Sequence, residues 1–357
     1  MVRIRALVVE DSLTVRRRLC DVLGSDPELE VVGEAADGKR AIELCLELRP
    51  DVITLDMMLP VMSGLAATEY IMAHRPTPIL IVSSSFNRGE LFRTYEALAA
   101  GAVDVLEKPR GDEPDGQWER QLLSQVKLVS RIKVITHVRG RLGAVGRAAR
   151  SALASEPVTS MGRPALVAIG ASTGGPGALV EILRVLPVPY PLPVLLVLHI
   201  GAPFAVGFAE WLDGQTEHAV SCARGGELLA DAAGHVLMAP PDRHLVVSSG
   251  RVALTDEPER HSCRPSVDVL FETVAREYGS AAVACLLTGM GHDGAAGLLQ
   301  VRRAGGLTLA QDEASSVVFG MPREAEALGA VCRMLPLSDI ATTLARLTAP
   351  ARPGAAP

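Results

Sequence analysis

A serine, a histidine and an aspartate stand where three apolar runs break off into glycine-containing turns. Run 166–169 ends in Gly170-Ala171-Ser172-Thr173-Gly174-Gly175, run 194–198 leads directly into His199, and run 282–287 leads into Thr288-Gly289-Met290-Gly291-His292-Asp293-Gly294. Together they are a hydroxyl nucleophile, a proton acceptor and an orienting acid, the set that acyl transfer through a covalent intermediate requires. The glycines beside Ser172 let a substrate carbonyl approach backbone N–H groups that also feel the positive end of the following helix. Taken singly, Ser172 could be an N-cap, His199 a structural histidine and Asp293 a turn residue. The combination is what carries weight. Its order, Ser then His then Asp, disfavours the ordinary α/β-hydrolase, which runs Ser, acid, His.

A second set of residues is acidic. Glu10 and Asp11 follow run 4–9, Asp56 follows run 52–55, Ser83 ends the next run, and Lys108 follows run 103–106 and precedes Pro109. Carboxylates gathered in one crevice repel one another unless a hard cation lies among them, and Mg²⁺ prefers such oxygen ligands. A carboxylate held there can attack a phosphoryl group while the metal and Lys108 offset charge on the transferred oxygens. Strand-end acids also serve as simple N-caps, but the full set with Lys108-Pro109 is not explained that way.

Both sets need a scaffold that aligns strand ends. Over residues 1–111, apolar runs 7–9, 31–32, 52–55, 79–82 and 103–106 alternate with amphipathic stretches of about a dozen residues, which predicts parallel β-α alternation. Residues 164–348 repeat the alternation, while the short runs 236–238, 245–248 and 252–254 predict an antiparallel hairpin insertion. The expected fold class is α/β. An N-terminal doubly wound (βα)5 domain (1–111) is joined by a helical linker (112–163) to a second α/β domain (164–348) with a mostly parallel sheet and an antiparallel hairpin. Doubly wound sheets bind their ligands at the carboxyl ends of the strands, where both sets of residues lie. The linker contains a helix-like stretch over 118–139 and a Gly/Ala/Arg/Ser-rich end, and the Pro/Ala/Gly tail 349–357 reads as disordered.

Composition narrows the function. A length of 357 residues suits two domains, and 48% hydrophobic with 21% charged residues supplies sizeable cores. The net charge of -6 argues against a nucleic-acid partner, which needs cations to displace counterions from phosphates. Only the linker is basic, with 9 basic against 5 acidic residues, compared with 13 against 17 before it and 13 against 19 after it. Six cysteines with no C-x-x-C pair predict neither a zinc knuckle nor a disulfide framework and read as reduced thiols of a cytoplasmic protein. No apolar stretch reaches about 18 residues, so direct membrane insertion is not expected.

The first block, including Asp56-Met57-Met58-Leu59-Pro60 and Gly64, resembles the response-regulator receiver domain over its whole length. That resemblance makes Asp56 the phosphoacceptor, Glu10 and Asp11 with Asp56 the Mg²⁺ ligands, Ser83 the switch hydroxyl and Lys108 the phosphoryl contact. Val105 stands where many receivers carry a switching aromatic residue.

The stretch Arg264-Pro265-Ser266-Val267-Asp268-Val269-Leu270-Phe271, the 288–294 loop, Ala310-Gln311-Asp312-Glu313-Ala314-Ser315 and Phe319-Gly320-Met321-Pro322 resemble the catalytic domain of the chemotaxis protein-glutamate methylesterases, the CheB family. The resemblance implies Ser172 as nucleophile, His199 as base and acid, Asp293 as its orienting partner, and backbone N–H groups near Thr173 and Met290 facing the oxyanion. It implies ester hydrolysis without a cofactor, glutamine deamidation at the same sites, methyl-accepting chemotaxis receptors and a CheA-type histidine kinase as partners, and a receiver that blocks the catalytic site until phosphorylated. Two features depart from the family pattern: Leu198 and Ile200-Gly201-Ala202-Pro203-Phe204 flank the histidine, and His292 adds a second imidazole.

Other readings compete. A receiver-coupled serine hydrolase of another ester or amide would keep the same three residues. A transcription regulator would carry a basic output domain, whereas the second block is acidic and has no lysine. Gly289 to Gly294 also matches the dinucleotide motif G-x-G-x-x-G, with Asp312 about 20 residues on, but Asp293 would put negative charge at the pyrophosphate.

Overall fold

The computed structural model describes residues 3–84, 87–109, 116–132, 134 and 164–347. The end of the expected linker and the 349–357 tail lie outside the described residues. The chain divides into two compact units, within 1–155 and 156–357.

In the first unit, β1 (Ile4–Val9), β2 (Leu29–Ala35), β3 (Val52–Leu55), β4 (Ile79–Ser83) and β5 (Asp104–Glu107) form a parallel sheet ordered β2-β1-β3-β4-β5. Strands such as Val52–Leu55 are apolar at nearly every position because helices cover both faces of a parallel sheet. Register fixes where the polar residues emerge. Val9 lies beside Leu55 and Ile81 beside Val105, so Glu10, Asp11, Asp56 and Lys108 leave the sheet along one edge.

The helix Gln117–Val129 corrects one expectation. The sequence reading placed it in the linker, yet Trp118, Leu122, Val126 and Val129 are buried against Val8, Leu19, Leu23 and Val82. Their spacing makes one apolar stripe, and each buried aliphatic side chain contributes about 1.5–3 kcal/mol, so the segment belongs to the first unit's core. Trp118 Nε1 also donates to the Glu107 carbonyl at 2.8 Å. The basic charges of the surrounding stretch masked the stripe.

The second unit contains β6 (Leu166–Ala171), β7 (Val194–Leu198), β8 (Ala219–Cys222), β9 (His235–Met238), β10 (His244–Ser248), β11 (Arg251–Thr255), β12 (Ala282–Leu286), β13 (Leu307–Gln311) and β14 (Arg333–Leu335). Seven of them form a parallel sheet ordered β14-β13-β12-β6-β7-β9-β8, and β10 and β11 form the antiparallel hairpin. Its two-residue turn, Ser249-Gly250, has φ of 52° and 71°, the left-handed pair that tight hairpins need. The run 236–238, expected in the hairpin, instead pairs parallel with β7. Val236, Leu237 and Met238 are all buried, a pattern for a strand covered on both faces rather than for a half-exposed hairpin. Leu245, Val247 and Val252 of the hairpin join Val267, Leu270 and Phe271 in the main core. Among the described residues, no helix is long and apolar enough to cross a membrane.

Candidate functional site

The central strand β6 lies between β7 and β12, with Ala171 beside Leu198 and Gly170 beside Leu286. This parallel register brings three turns to one rim. His199 N donates to the Ala171 carbonyl at 3.0 Å, and Ser172 N donates to the Thr288 carbonyl at 3.1 Å. Gly174, at φ 79°, turns the chain into the helix Gly175–Val185 just after the serine. Gly289 must lack a side chain, because a Cβ there would sit 2.8 Å from Ser172 Cβ and 2.3 Å from the Met321 sulfur.

His199 and Asp293, 94 residues apart, meet directly: His199 Nε2 lies 2.9 Å from Asp293 Oδ2. Asp293 also accepts from Ser266 Oγ at 2.7 Å, Val267 N at 2.7 Å and Asp268 N at 3.0 Å. Burial works against its charged form, but His199, Ser266 and Val267 N outweigh it and hold the carboxyl below the usual range. Burial also opposes a charged His199, yet the bond to Asp293, reinforced by Cys263, raises its pKa to about 9. With Nε2–H donated to Asp293, Nδ1 is the nitrogen free to take a proton.

Ser172 is on the same rim, but among the described residues no hydrogen bond joins its hydroxyl to His199. The base–acid half of the set is closed and the nucleophile–base half is open. The N–H groups of Thr173 and Met290 donate to no protein acceptor among the described residues, so both are available to an oxyanion.

Several neighbours escaped the sequence reading. Ser266, Val267 and Asp268 belong to a stretch already noted, and the N-cap position of Ser266 on the helix Val267–Tyr278 was a readable signal. Their bonds to Asp293 were not. Cys263 Sγ lies 4.0 Å from His199 Nδ1, and no spacing rule points there. His292, expected as a second imidazole at the site, pairs with His261 Nδ1 at 2.8 Å, and His261 Nε2 reaches Asp268 at 3.1 Å. The 289–294 match has another account here: Gly289 allows the close approach to Ser172 and Met321, and Asp293 bonds His199.

In the first unit, Lys108 Nζ bridges Glu10 Oε2 and Asp56 Oδ2, each at 2.9 Å. One oxygen from each of Glu10, Asp11 and Asp56 lies within 4.8 Å of the others, and Asp56 Oδ1 is buried with no hydrogen-bond partner. Burial and the nearby Asp56 carboxylate raise Glu10 to about 7. Burial likewise raises Asp56, although Lys108 pulls against it. Burial disfavours the Lys108 ammonium, but Asp56 and Glu10 override this and raise its pKa. Three oxygen donors, one with an orphaned atom and no soft ligand, suit a hard divalent cation. Ser83 ends β4 at the same rim, its carbonyl accepting from Lys108 N at 2.9 Å, while its hydroxyl donates to Glu90 Oε1 at 2.8 Å and accepts from Thr94 at 3.2 Å. Val105 is buried in β5.

Comparison with known proteins finds relatives of both units. A CheB methylesterase family model matches residues 167–344, and a response regulator receiver domain model matches residues 6–114. A protein-glutamate methylesterase/protein-glutamine glutaminase of Nitrosospira multiformis is 45% identical over 351 residues, 97% of each chain. One from Anaeromyxobacter dehalogenans is 44% identical over 349 residues, again 97% of each. The Thermotoga maritima CheB methylesterase catalytic domain has a solved structure that is 36% identical and covers 52% of this chain and 99% of its own, with a TM-score of 0.49.

Proposed function

The chain belongs to the CheB family of protein-glutamate methylesterases/protein-glutamine glutaminases with a receiver domain, and we propose that Ser172, His199 and Asp293 carry its acyl chemistry. The Ser172 hydroxyl attacks the γ-glutamyl methyl ester carbonyl as His199 Nδ1 takes its proton. The Thr173 and Met290 N–H groups donate to the developing oxyanion. His199 returns the proton to the departing methanol, then activates a water that releases glutamate and restores Ser172. Asp293 stays ionised and stabilises the imidazolium. With a glutamine side chain, the leaving group is ammonia. The nucleophile–base contact open in this structure closes when substrate binds, as catalytic hydrogen bonds often do.

The substrates are methyl-accepting chemotaxis receptors, and the location is the cytoplasm, where the six cysteines remain the free thiols seen here. A CheA-type histidine kinase supplies the phosphoryl group to Asp56. Glu10, Asp11 and Asp56 would hold Mg²⁺, which when bound neutralises phosphoryl oxygens. Lys108 offsets charge at the same place, and Ser83 must exchange its bond to Glu90 to contact the phosphoryl group. Phosphorylation relieves a block of the catalytic site by the receiver.

The observation that supports the catalytic assignment best is the His199–Asp293 pair at 2.9 Å, with Asp293 held by three further donors. The test is methanol release from methylated receptor membranes by wild type and Ser172→Ala, each with and without a phosphodonor. Ser172→Ala should lose activity by at least about a thousandfold. Equal release by the two proteins would remove Ser172 as nucleophile.

A further inference from the structure

The six cysteines differ in their surroundings, and only Cys263 is described against a catalytic imidazole. Its Sγ lies 4.0 Å from His199 Nδ1, the nitrogen left facing away from Asp293. That separation is too long for a strong hydrogen bond. It suits two ligands of one metal ion: with Zn–S about 2.3 Å and Zn–N about 2.0–2.1 Å, sulfur and nitrogen stand about 3.5 Å apart at a tetrahedral angle and about 4 Å apart when it opens to about 130°.

The surroundings match a metal site in two further respects. Histidines that ligate zinc usually give their other ring N–H to a carboxylate, which fixes the tautomer; here His199 Nε2 already meets Asp293, itself pinned by Ser266, Val267 and Asp268. One donor atom from each of His199, Cys263 and Asp293 also falls within 4.8 Å of the others. A nitrogen and a sulfur beside a carboxylate favour zinc over magnesium or calcium, in contrast with the all-oxygen cluster of the first unit.

We propose that His199 Nδ1 and Cys263 Sγ bind Zn²⁺, with Asp293 as the outer partner of His199 and water completing the coordination, so that zinc withdraws the base from catalysis. The S–Zn bond forms as the thiol proton passes to solvent. Binding stands on the geometry alone, whereas its inhibitory consequence rests on the reading of His199 as base.

The nearby His261, 2.8 Å from His292 and grouped with Asp268 and Asp293, is the competing location, and dependence on Cys263 separates the two. Metal-stripped full-length wild type, Cys263→Ser and His292→Gln are titrated with Zn²⁺ by calorimetry and with Co²⁺ while the thiolate-to-cobalt charge-transfer band is followed. Cys263→Ala replaces the serine variant if that does not fold. The proposal expects one Zn²⁺ at this site, a cobalt–thiolate band, at least tenfold weaker zinc binding and no band without Cys263, and less than threefold change in His292→Gln. Zinc should inhibit methanol release from wild type, and losing Cys263 should raise the half-inhibiting concentration at least tenfold, each rate being referred to that variant's own metal-free rate. Unchanged zinc affinity without Cys263, or affinity lost in His292→Gln alone, would overturn the site. Cys263-dependent binding with no loss of esterase rate would uphold the site and count against His199 as base.

Discussion

Asp56 and Asp293 are both buried aspartates beyond the carboxyl end of a parallel strand, at 2% and 3% exposure, yet their acidities move in opposite directions. Asp56 has Lys108 on one oxygen and no hydrogen-bond partner within bonding geometry on the other, so burial outweighs Lys108 and Met58 N–H and raises its pKa. Asp293 has four donors, and they outweigh the same penalty. Burial alone therefore does not set a carboxylate's role; the number and placement of its donors do. An oxygen left without a partner is open to a cation and an incoming phosphoryl group. One saturated with hydrogen bonds is suited to hold an imidazole in place, the role proposed for Asp293.

The largest test of this contrast is Asp293→Asn. It keeps the shape but removes the charge that stabilises protonated His199 and selects its tautomer, so methanol release should fall by about 10⁴-fold with the fold intact by circular dichroism. A loss under tenfold would make Asp293 a structural residue. Asp56→Asn should leave basal release within a few-fold of wild type while abolishing both acyl-phosphate formation and the phosphodonor's stimulation. Stimulation that persists in this variant would place the phosphoacceptor elsewhere.

The mildest test is pH. His199 must be neutral to accept the serine proton, so with its pKa raised to about 9, kcat/KM for methanol release should rise with pH through 7 and 8 and level off near about 9. A flat profile over that range would contradict the Asp293 bond as drawn. The sign for stability is opposite: the raised pKa contributes fully below about 6.5, and that contribution fades as pH rises through about 9.

Much of this is legible in the amino-acid sequence. Ser172, His199 and Asp293 announced themselves because each ends an apolar run and sits among turn residues, and Asp56 and Lys108 did so for the same reason. The helix Gln117–Val129 was misassigned although its apolar stripe is periodic, because whether a stripe faces a core or solvent is settled by the partner it meets. The same holds for β9, where a three-residue apolar run fits either a hairpin or a central strand until Val194 is found beside Val236.

By itself, the sequence determined the βα alternation, the two chemistries and the residues offering them, since periodicity and turn propensity are properties of short stretches. Tertiary structure alone decided that Ser266, Val267 and Asp268 satisfy Asp293, that Cys263 faces His199 across 64 residues, and that Ser83 is tied to Glu90 rather than free. Such contacts depend on how separate segments pack, and the hydrogen bonds that offset the burial penalty on Asp293 have no signature in the spacing of residues along the chain.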